Sequence, residues 1–314
     1  MSLSTPALRS SPTEPLNPAI AALEAGGAYL YPEALDPVAA QRLLQSIRDD
    51  RDFDHRLFLS EAEFDASPLY TGVNPRPGRN LLDRFSDQVG FVEDSPAIRE
   101  AVGAVLGEDF VILNRKIVCG VPQSSVPEWL RKRILGNPVN NLGPYVRPEY
   151  RDVTYFYGID FHQDLIDYPD RPADFLTLYI YLHKVTEVDA PLFLLEGTHR
   201  FGGTIFPHQL DRREGGLWTY GDGRGQEMTA RQIILTGDAG FAAMWHACTL
   251  HGTQPDAADH ERISLRYLLA RGSRRAGIDL VNAQLKGPLS LEATRRDLAN
   301  DGSSAIRSNT VNTA

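Results

Sequence analysis

Short apolar segments that repeatedly stop at turn residues occupy the chain from Phe110 onwards, and this pattern restricts the fold more than any other feature. Aliphatic, β-branched and aromatic residues dominate each segment, and Gly, Pro and Asp separate the segments. Runs of this length bounded by turns are typical of strands in a β sandwich or barrel. The predicted strands are 110–119, 175–182, 192–195, 232–235, 241–250 and 263–270.

The first third of the chain shows helix signals instead. Asp36-Pro37 and Ser95-Pro96 each combine a side chain that caps a helix with a proline that suits its first turn. We therefore expect a mostly β fold with flanking helices. The predicted helices are 37–49, 96–106, 128–134 and 290–299.

Two segments of the chain have no regular pattern. Residues 1–18 are rich in Ser, Thr and Pro and lack the apolar stretch of a signal peptide, so we interpret them as a disordered leader. Residues 121–150 contain five prolines between strand-forming regions, and a long irregular insertion of this kind is predicted to be a lid. The expected organisation is one domain over residues 19–314.

The charge balance of the chain argues against nucleic acid as a partner. Asp and Glu number 41 against 32 Lys and Arg, which gives a formal net charge of −9. A protein that neutralises phosphates usually has a basic surplus. The basic cluster at 131–133 has two interpretations, a solvated helix face or a gate for the substrate.

The apolar runs and the two cysteines of the chain indicate its cellular compartment. No apolar run approaches the roughly 18 residues that a membrane-spanning helix needs, so no membrane partner is expected. Cys119 and Cys248 have no second cysteine at a metal-ligand or redox spacing, and we interpret both as small buried thiols. Unpaired thiols suit a reducing compartment, and a cytoplasmic protein is predicted.

One histidine of the chain is followed two residues later by a carboxylate, in His162-Gln163-Asp164. Residues i and i+2 of a strand share a face, so such a pair can point two ligands at one metal ion. A single match is expected by chance among eight histidines, and the pair needs support from elsewhere in the chain. His251 lies in a later strand-like run and offers a third ligand.

The return strand after His251 has an unusual polar face. Arg262, Ser264 and Arg266 alternate with apolar residues, so one face of a core strand carries two arginines. Buried arginines need an anionic partner, which a carboxylate ligand would provide. Two histidines, one carboxylate and an inward arginine are together typical of non-haem iron oxygenases that use 2-oxoglutarate.

The motifs around these residues resemble the phytanoyl-CoA dioxygenase family. The segment from His162 reads HQDL and continues to Arg171-Pro172, as in the family. Glu196-Gly-Thr-His199 is similar to the family's turn, with Glu in place of Pro. His251-Gly-Thr253 is followed by Arg262, at the spacing that the family shows. The likeness covers about 110 residues in ordered sequence. It implies a double-stranded β-helix, which is a jelly-roll, cupin-like barrel with helices on one side.

The resemblance also implies roles for individual residues. His162, Asp164 and His251 would bind Fe(II) and form the catalytic centre. Arg262 would bind the distal carboxylate of 2-oxoglutarate, with the Thr253 hydroxyl beside it.

The resemblance further implies Tyr179 as a residue of the cosubstrate pocket. A cation on an earlier strand would complete this pocket, and either Arg115 or Lys116 is at a suitable position.

Three residues near these motifs keep more than one interpretation. His246 competes with His251 as the distal ligand, although the family's equivalent of His246 is not a ligand. His199 is interpreted as shaping a turn rather than binding metal. Arg266 is either a substrate ligand or the partner of an acid.

The sequence thus predicts an Fe(II)- and 2-oxoglutarate-dependent dioxygenase that uses O2 to hydroxylate an aliphatic carbon of a small molecule. Succinate and CO2 would be the co-products. The alternative is a non-oxidative or non-catalytic metal-binding jelly-roll, and the inward Arg262 argues against it. The substrate and the oligomeric state stay open, because the residues outside the motifs match no known pattern.

Overall fold

The fold is described by a computed structural model that covers residues 16–68, 70–72, 79–299, 304–307 and 310–311. Most of the expected leader therefore lies outside the described residues, and its last residues belong to the first helix, which Asn17 caps. The α helices are α1 (Pro18–Gly26), α2 (Pro37–Asp50), α3 (Glu61–Asp65), α4 (Gly90–Glu93), α5 (Pro96–Leu106), α6 (Glu128–Ile134) and α7 (Ile278–Ala283).

Strands make up most of the remaining regular structure. They are β1 (Ala28–Leu30), β2 (Val111–Gly120), β3 (Val139–Asn141), β4 (Thr154–His162), β5 (Phe175–Tyr181), β6 (Leu192–Leu195), β7 (Gln209–Arg212), β8 (Leu217–Gly221), β9 (Glu227–Leu235), β10 (Ala242–His246), β11 (His251–Thr253) and β12 (Arg262–Ala270). Short 3₁₀ helices lie at His55–Leu57, Leu81–Phe85, Gln123–Ser125, Gly143–Tyr145, Pro148–Tyr150, Asp164–Asp167, Thr198–Phe201 and Glu214–Gly216.

Three of the four predicted helices are present in the structure. Asp36 and Ser95 cap α2 and α5 as expected, and α6 has the predicted bounds. The helix predicted at 290–299 is wrong, because the chain there is non-helical and makes backbone hydrogen bonds to other segments. The last helix is α7 instead, which ends at Ala283.

The strands form two layers that share one hydrogen-bonded path. The first layer has the order β1-β10-β5-β12-β2 and the second has the order β4-β11-β6-β9-β8-β7, with β3 added beside β4. Parallel pairing of β2 with β4 joins the layers at Val118–Gly120, and the other pairs are antiparallel.

An apolar cluster between the layers shows that they face each other. Val118, Tyr179 and Trp245 of the first layer pack with Leu192 and Leu194 of the second. The Tyr181 hydroxyl also crosses between the layers, since it donates to the Leu235 carbonyl at 2.8 Å and accepts from the Leu192 amide at 3.1 Å. Two facing layers closed in this way are a jelly-roll, as predicted.

The helices cover the outer face of the first layer. Ile263, Leu265, Tyr267 and Leu269 of β12 belong to the same buried cluster as the apolar faces of α2 and α5. The intervening residues of β12 must then point between the layers, because side chains alternate along a strand. The predicted polar inner face of β12 is therefore present.

No helix among the described residues combines the length and the apolar character that crossing a bilayer requires.

The short strand β11 lies between β4 and β6, and close packing there depends on a glycine. His251 pairs with His162 on one side and with Leu194 on the other. A Cβ atom on Gly252 would lie 2.7 Å from the Ile159 carbonyl oxygen and 2.7 Å from the Phe193 ring. Since a backbone atom cannot move aside cheaply, residue 252 has no room for a side chain.

We expect Gly252→Ala to destabilise the protein by about 1–3 kcal/mol, the usual cost of overpacking a core. Urea unfolding measures this change. Gly90→Ala is the matched control, because a Cβ there meets only the flexible Asp94 side chain, at 3.3 Å. Equal midpoints for the two variants would contradict the packing described for β11.

Candidate active site

Cross-strand pairing brings together two of the three predicted metal ligands. His162 ends β4 and His251 begins β11, and the two are direct partners in this antiparallel pair. Their ring centroids are 4.2 Å apart. Asp164 follows His162 on a 3₁₀ helix, and the donor atoms of all three residues lie within 4.8 Å of one another.

Each histidine of this cluster is oriented by a hydrogen bond to the backbone. His162 Nδ1 lies 3.0 Å from the carbonyl oxygen of Asp160, and His251 Nδ1 lies 3.1 Å from that of Thr249. A carbonyl only accepts, so both Nδ1 atoms carry the proton and both Nε2 atoms keep a lone pair. Metal-binding histidines are commonly fixed in this way, with the other nitrogen toward the metal.

Asp164 is buried, with 1% of its surface exposed, and its carboxylate is held on both oxygens. Arg266 donates to Oδ1. Oδ2 accepts from Thr177 Oγ1 and, at 3.1 Å, from Trp245 Nε1. Thr177 and Trp245 are themselves a cross-strand pair of β5 and β10, so the first layer presents both donors together.

The charges of the cluster follow from burial and from Arg266. Burial raises the pKa of Asp164, but the positive charge of Arg266, the two histidines and the hydrogen bond from Thr177 together outweigh burial, and the net pKa lies below the usual range. Burial lowers the pKa of His162 and of His251, the nearby Asp164 charge opposing this for both. Two neutral imidazoles and one carboxylate are the protonation states that a divalent metal ion needs.

The residue between the two ligands of the HQD motif supports the loop that carries them. Gln163 donates from Nε2 to the carbonyls of Gly202 and Cys248, both at 2.8 Å. Its Oε1 accepts from the Thr204 amide at 2.9 Å. Gln163 therefore ties the loop between His162 and Asp164 to two other segments, a role that the motif alone did not indicate.

Arg262 lies inside the barrel on the wall of the cavity that also contains His162 and His251. Only 1% of its surface is exposed, yet Nε and Nη1 have no hydrogen-bond partner among the described residues. Its partner across the strands is Gly120, and a Cβ there would come within 3.2 Å of Nε. The buried guanidinium therefore occupies space left by a glycine. The buried Asp256 acts on it electrostatically, but no carboxylate among the described residues forms a salt bridge with it.

The other two residues predicted for the cosubstrate also line this cavity. The Tyr179 ring lies 5.8 Å from the Arg262 guanidinium, and its buried hydroxyl has no partner in the described part of the chain. Thr253 donates its hydroxyl proton to the Ala190 carbonyl at 2.9 Å. The Thr253 hydroxyl would have to turn from this carbonyl before it could donate to a ligand.

The two candidate cations on β2 have different surroundings. Arg115 faces the helices, where it forms a 2.5 Å ion pair with Glu93. Lys116 is 2% exposed and lines the cavity next to its strand partner Arg266. Burial lowers the pKa of Lys116 to about 7, and the positive charge of Arg266 adds to this effect. Of the two candidates on β2, Lys116 is therefore the one that lines the cavity.

The structure also decides between the interpretations of the neighbouring polar residues. Arg266 is the partner of an acid, Asp164. His246 lies away from the cluster, with Nε2 2.9 Å from Asn282 Oδ1, and His199 is buried beside His246 with 6.0 Å between ring centroids. The cluster at 131–133 follows the exposed side of α6, where Lys132 pairs with Glu128 at 2.6 Å.

Comparison with known proteins gives partial sequence matches. No protein-family model matches the chain. The probable alpha-ketoglutarate-dependent hypophosphite dioxygenase of Stutzerimonas stutzeri is 32% identical over 115 residues, which are 35% of this chain and 38% of that protein. The probable phytanoyl-CoA dioxygenase of Caenorhabditis elegans is 28% identical over 146 residues, 43% of this chain and 46% of that protein.

The chain thus spans less than half the length of each of these curated relatives. Among solved structures, the epimerase SnoN in complex with Fe3+, alpha ketoglutarate and nogalamycin RO superposes with a TM-score of 0.50. The two are 14% identical, and the match covers 84% of this chain and 87% of SnoN. The resemblance to the phytanoyl-CoA dioxygenase family and the jelly-roll fold are both confirmed.

We expect Asp164→Asn to weaken divalent metal binding by at least about a hundredfold, since loss of a supporting residue around a ligand alone costs 10–100-fold. Calorimetric titration with Co(II) measures the affinity. Asp167→Asn is the matched control, because Asp167 lies on the same 3₁₀ helix and lines the cavity without belonging to the cluster. If both variants bind Co(II) equally well, Asp164 is not a ligand.

Proposed function

We propose that this chain is an Fe(II)- and 2-oxoglutarate-dependent dioxygenase that hydroxylates an aliphatic carbon of a small molecule with O2. Two histidines and one carboxylate would hold the metal on one face and leave positions open for the cosubstrate. Bound iron supplies the oxidative chemistry in which 2-oxoglutarate is converted to succinate and CO2. The protein supplies binding, orientation and a cavity that is lined mainly by buried side chains.

The observation that carries this proposal is the buried guanidinium of Arg262, which forms no salt bridge with any described residue. It shares a cavity with the His-Asp-His cluster, and two of its nitrogens lack partners among the described residues. A carboxylate can accept two hydrogen bonds from one guanidinium in a planar arrangement. A dicarboxylate that reaches from the metal to Arg262 would satisfy both charges, as 2-oxoglutarate does.

Apolar side chains support the placement of the cosubstrate chain between these two ends. Val118, Phe156 and Leu192 line the same cavity together with the Tyr179 ring. The two methylene groups of 2-oxoglutarate would pack against them. Residues His162, Asp164 and His251 would hold the metal, and Arg262, Tyr179 and Thr253 would surround the cosubstrate.

A non-oxidative metal-binding jelly-roll is the alternative, and the relatives bear on the choice. Both curated relatives are named as dioxygenases, one of them alpha-ketoglutarate-dependent. A protein that only holds a metal has no need of a buried arginine in the same cavity. We also propose a cytoplasmic location, since Cys119 and Cys248 are both free and buried.

We expect Arg262→Leu to raise the 2-oxoglutarate concentration needed for succinate formation by roughly two orders of magnitude or more, as loss of one partner from a buried charge pair costs about 3–5 kcal/mol. Arg262→Lys should recover only part of this loss, because an ammonium cannot form the two-point contact. Succinate release with Fe(II), O2 and varied 2-oxoglutarate is the measurement.

Co(II) titration of Arg262→Leu should give the wild-type affinity, since no metal ligand is changed. Arg231→Leu is the matched control, an arginine of β9 whose side chain is 65% exposed. Unchanged 2-oxoglutarate dependence in Arg262→Leu would remove this residue from the cosubstrate site. Wild-type protein that releases no succinate would favour the non-oxidative alternative.

We further propose that part of the 121–150 segment covers the cavity. Val139 of β3 lines the cavity, whereas Leu130 and Ile134 of α6 are buried in the core beneath the first layer. Within this segment, only β3 is therefore close enough to the cavity to be affected by a bound ligand.

Hydrogen exchange in peptides spanning β3 should slow when Co(II) and 2-oxoglutarate are added, because the ligands would stabilise the cavity lining. Exchange in α6 should stay unchanged and is the internal control. Equal exchange at β3 with and without these ligands would contradict the proposal.

A further inference from the structure

Four side chains with formal positive charge line the cavity in the described part of the chain, which are Lys116, Arg262, Arg266 and Arg295. The proposed function uses Arg262 for the cosubstrate, and Arg266 is paired with Asp164. Arg295 takes part in neither task. It comes from the C-terminal segment, where the sequence predicted a helix and no functional residue.

Arg295 is held in one orientation by two neighbours. Its Nε and Nη2 donate to the two oxygens of Asp297, at 2.9 and 2.6 Å, and Asp297 is fully buried. The guanidinium carbon lies 5.7 Å from the Phe206 ring centroid. A side chain fixed on one edge loses little further freedom when its other edge binds a ligand, so this arrangement favours binding.

The segment that carries Arg295 is attached to the loop of the metal cluster. The Thr294 hydroxyl donates to the Ile166 carbonyl at 2.9 Å, and the Ala173 amide donates to the Leu289 carbonyl at 2.8 Å. The Phe206 amide donates to the Thr294 carbonyl at 2.8 Å. These contacts fix the position of Arg295 relative to Asp164, which lies two residues before Ile166.

The remaining edge of Arg295 is available for a ligand. Nη1 has no hydrogen-bond partner among the residues that the structure describes, and 17% of the side chain is exposed. Lys116 also lines the cavity, and among the described residues Asp167 is the one acid outside the cluster that lines it. With Arg262 bound to 2-oxoglutarate and Arg266 paired with Asp164, the free edge of Arg295 is the positive group that a second molecule would meet in the cavity.

We propose that Arg295 binds an anionic group, a carboxylate or a phosphate or phosphonate, on the substrate that is oxidised. This inference rests on the proposed function and adds the chemical class of the substrate. Arg295 is a specificity residue supplied by the C-terminal segment, and it orients the substrate relative to the His-Asp-His cluster. Neutral molecules of the same shape bind less well, because they leave the guanidinium edge unpaired.

The test is calorimetric titration of the anaerobic protein, loaded with Fe(II) and saturating 2-oxoglutarate, with inorganic phosphate and with acetate at constant ionic strength. The two probes distinguish a preference for phosphate-type groups from a preference for carboxylates. Wild-type protein should bind at least one of them saturably, and Arg295→Gln should weaken that binding by at least tenfold. Arg296→Gln is the matched control, an exposed arginine one residue away that does not line the cavity.

Loss of Arg295 leaves the Asp297 carboxylate buried without its partner, so the double variant Arg295→Gln, Asp297→Asn is measured as well. It keeps a neutral hydrogen-bonding pair and should show the same loss of anion binding. Equal anion binding in wild type and in both Arg295 variants, or no saturable binding of either anion by wild type, overturns the proposal.

The visible absorption band of the Fe(II) and 2-oxoglutarate complex separates this outcome from failure of the proposed function. Formation of the band in wild type and in Arg295→Gln shows that the metal and cosubstrate sites are intact. Absence of the band in wild type would instead contradict the function on which the inference rests.

Discussion

The pairing of β4 with β11 is the contact on which the candidate site depends. It sets His162 opposite His251 although the two residues are far apart in the sequence. The pairing is possible because Gly252 allows β11 to fit closely between β4 and β6. A one-residue change of register would turn one imidazole away from the other, since successive side chains point to opposite faces.

The two arginines on the inner face of β12 have different neighbours. Arg266 donates to Asp164 of the His-Asp-His cluster, and its positive charge helps to keep this carboxylate charged and oriented. Arg262 lies four residues away on the cavity lining, where Gly120 leaves room for it, and two of its buried nitrogens have no hydrogen-bond partner among the described residues. The two arginines therefore have different surroundings: Arg266 is paired with an acid, whereas Arg262 lies opposite a glycine of β2.

Much of this site could be predicted from the sequence, and the omissions have physical causes. Alternation along β12 placed Arg262 and Arg266 on one face, and the same alternation along β5 would have placed Thr177 on the face of Tyr179. The strand β4 was missed because Gly158 and Asp160 interrupt its apolar pattern. No sequence motif pointed to Arg295 as a site residue, because its position depends on backbone contacts between a non-helical segment and loops elsewhere in the chain.

The sequence by itself determined which residues share a strand face, where α2, α5 and α6 form, and which motifs resemble the phytanoyl-CoA dioxygenase family. These properties are local, because they follow from backbone periodicity and from capping within a few residues. Only the tertiary structure decided that Lys116 rather than Arg115 enters the cavity, that Arg266 pairs with Asp164, and that Arg295 reaches the site. Those outcomes depend on strand register and on the closure of the two layers, which the packing of the whole core determines.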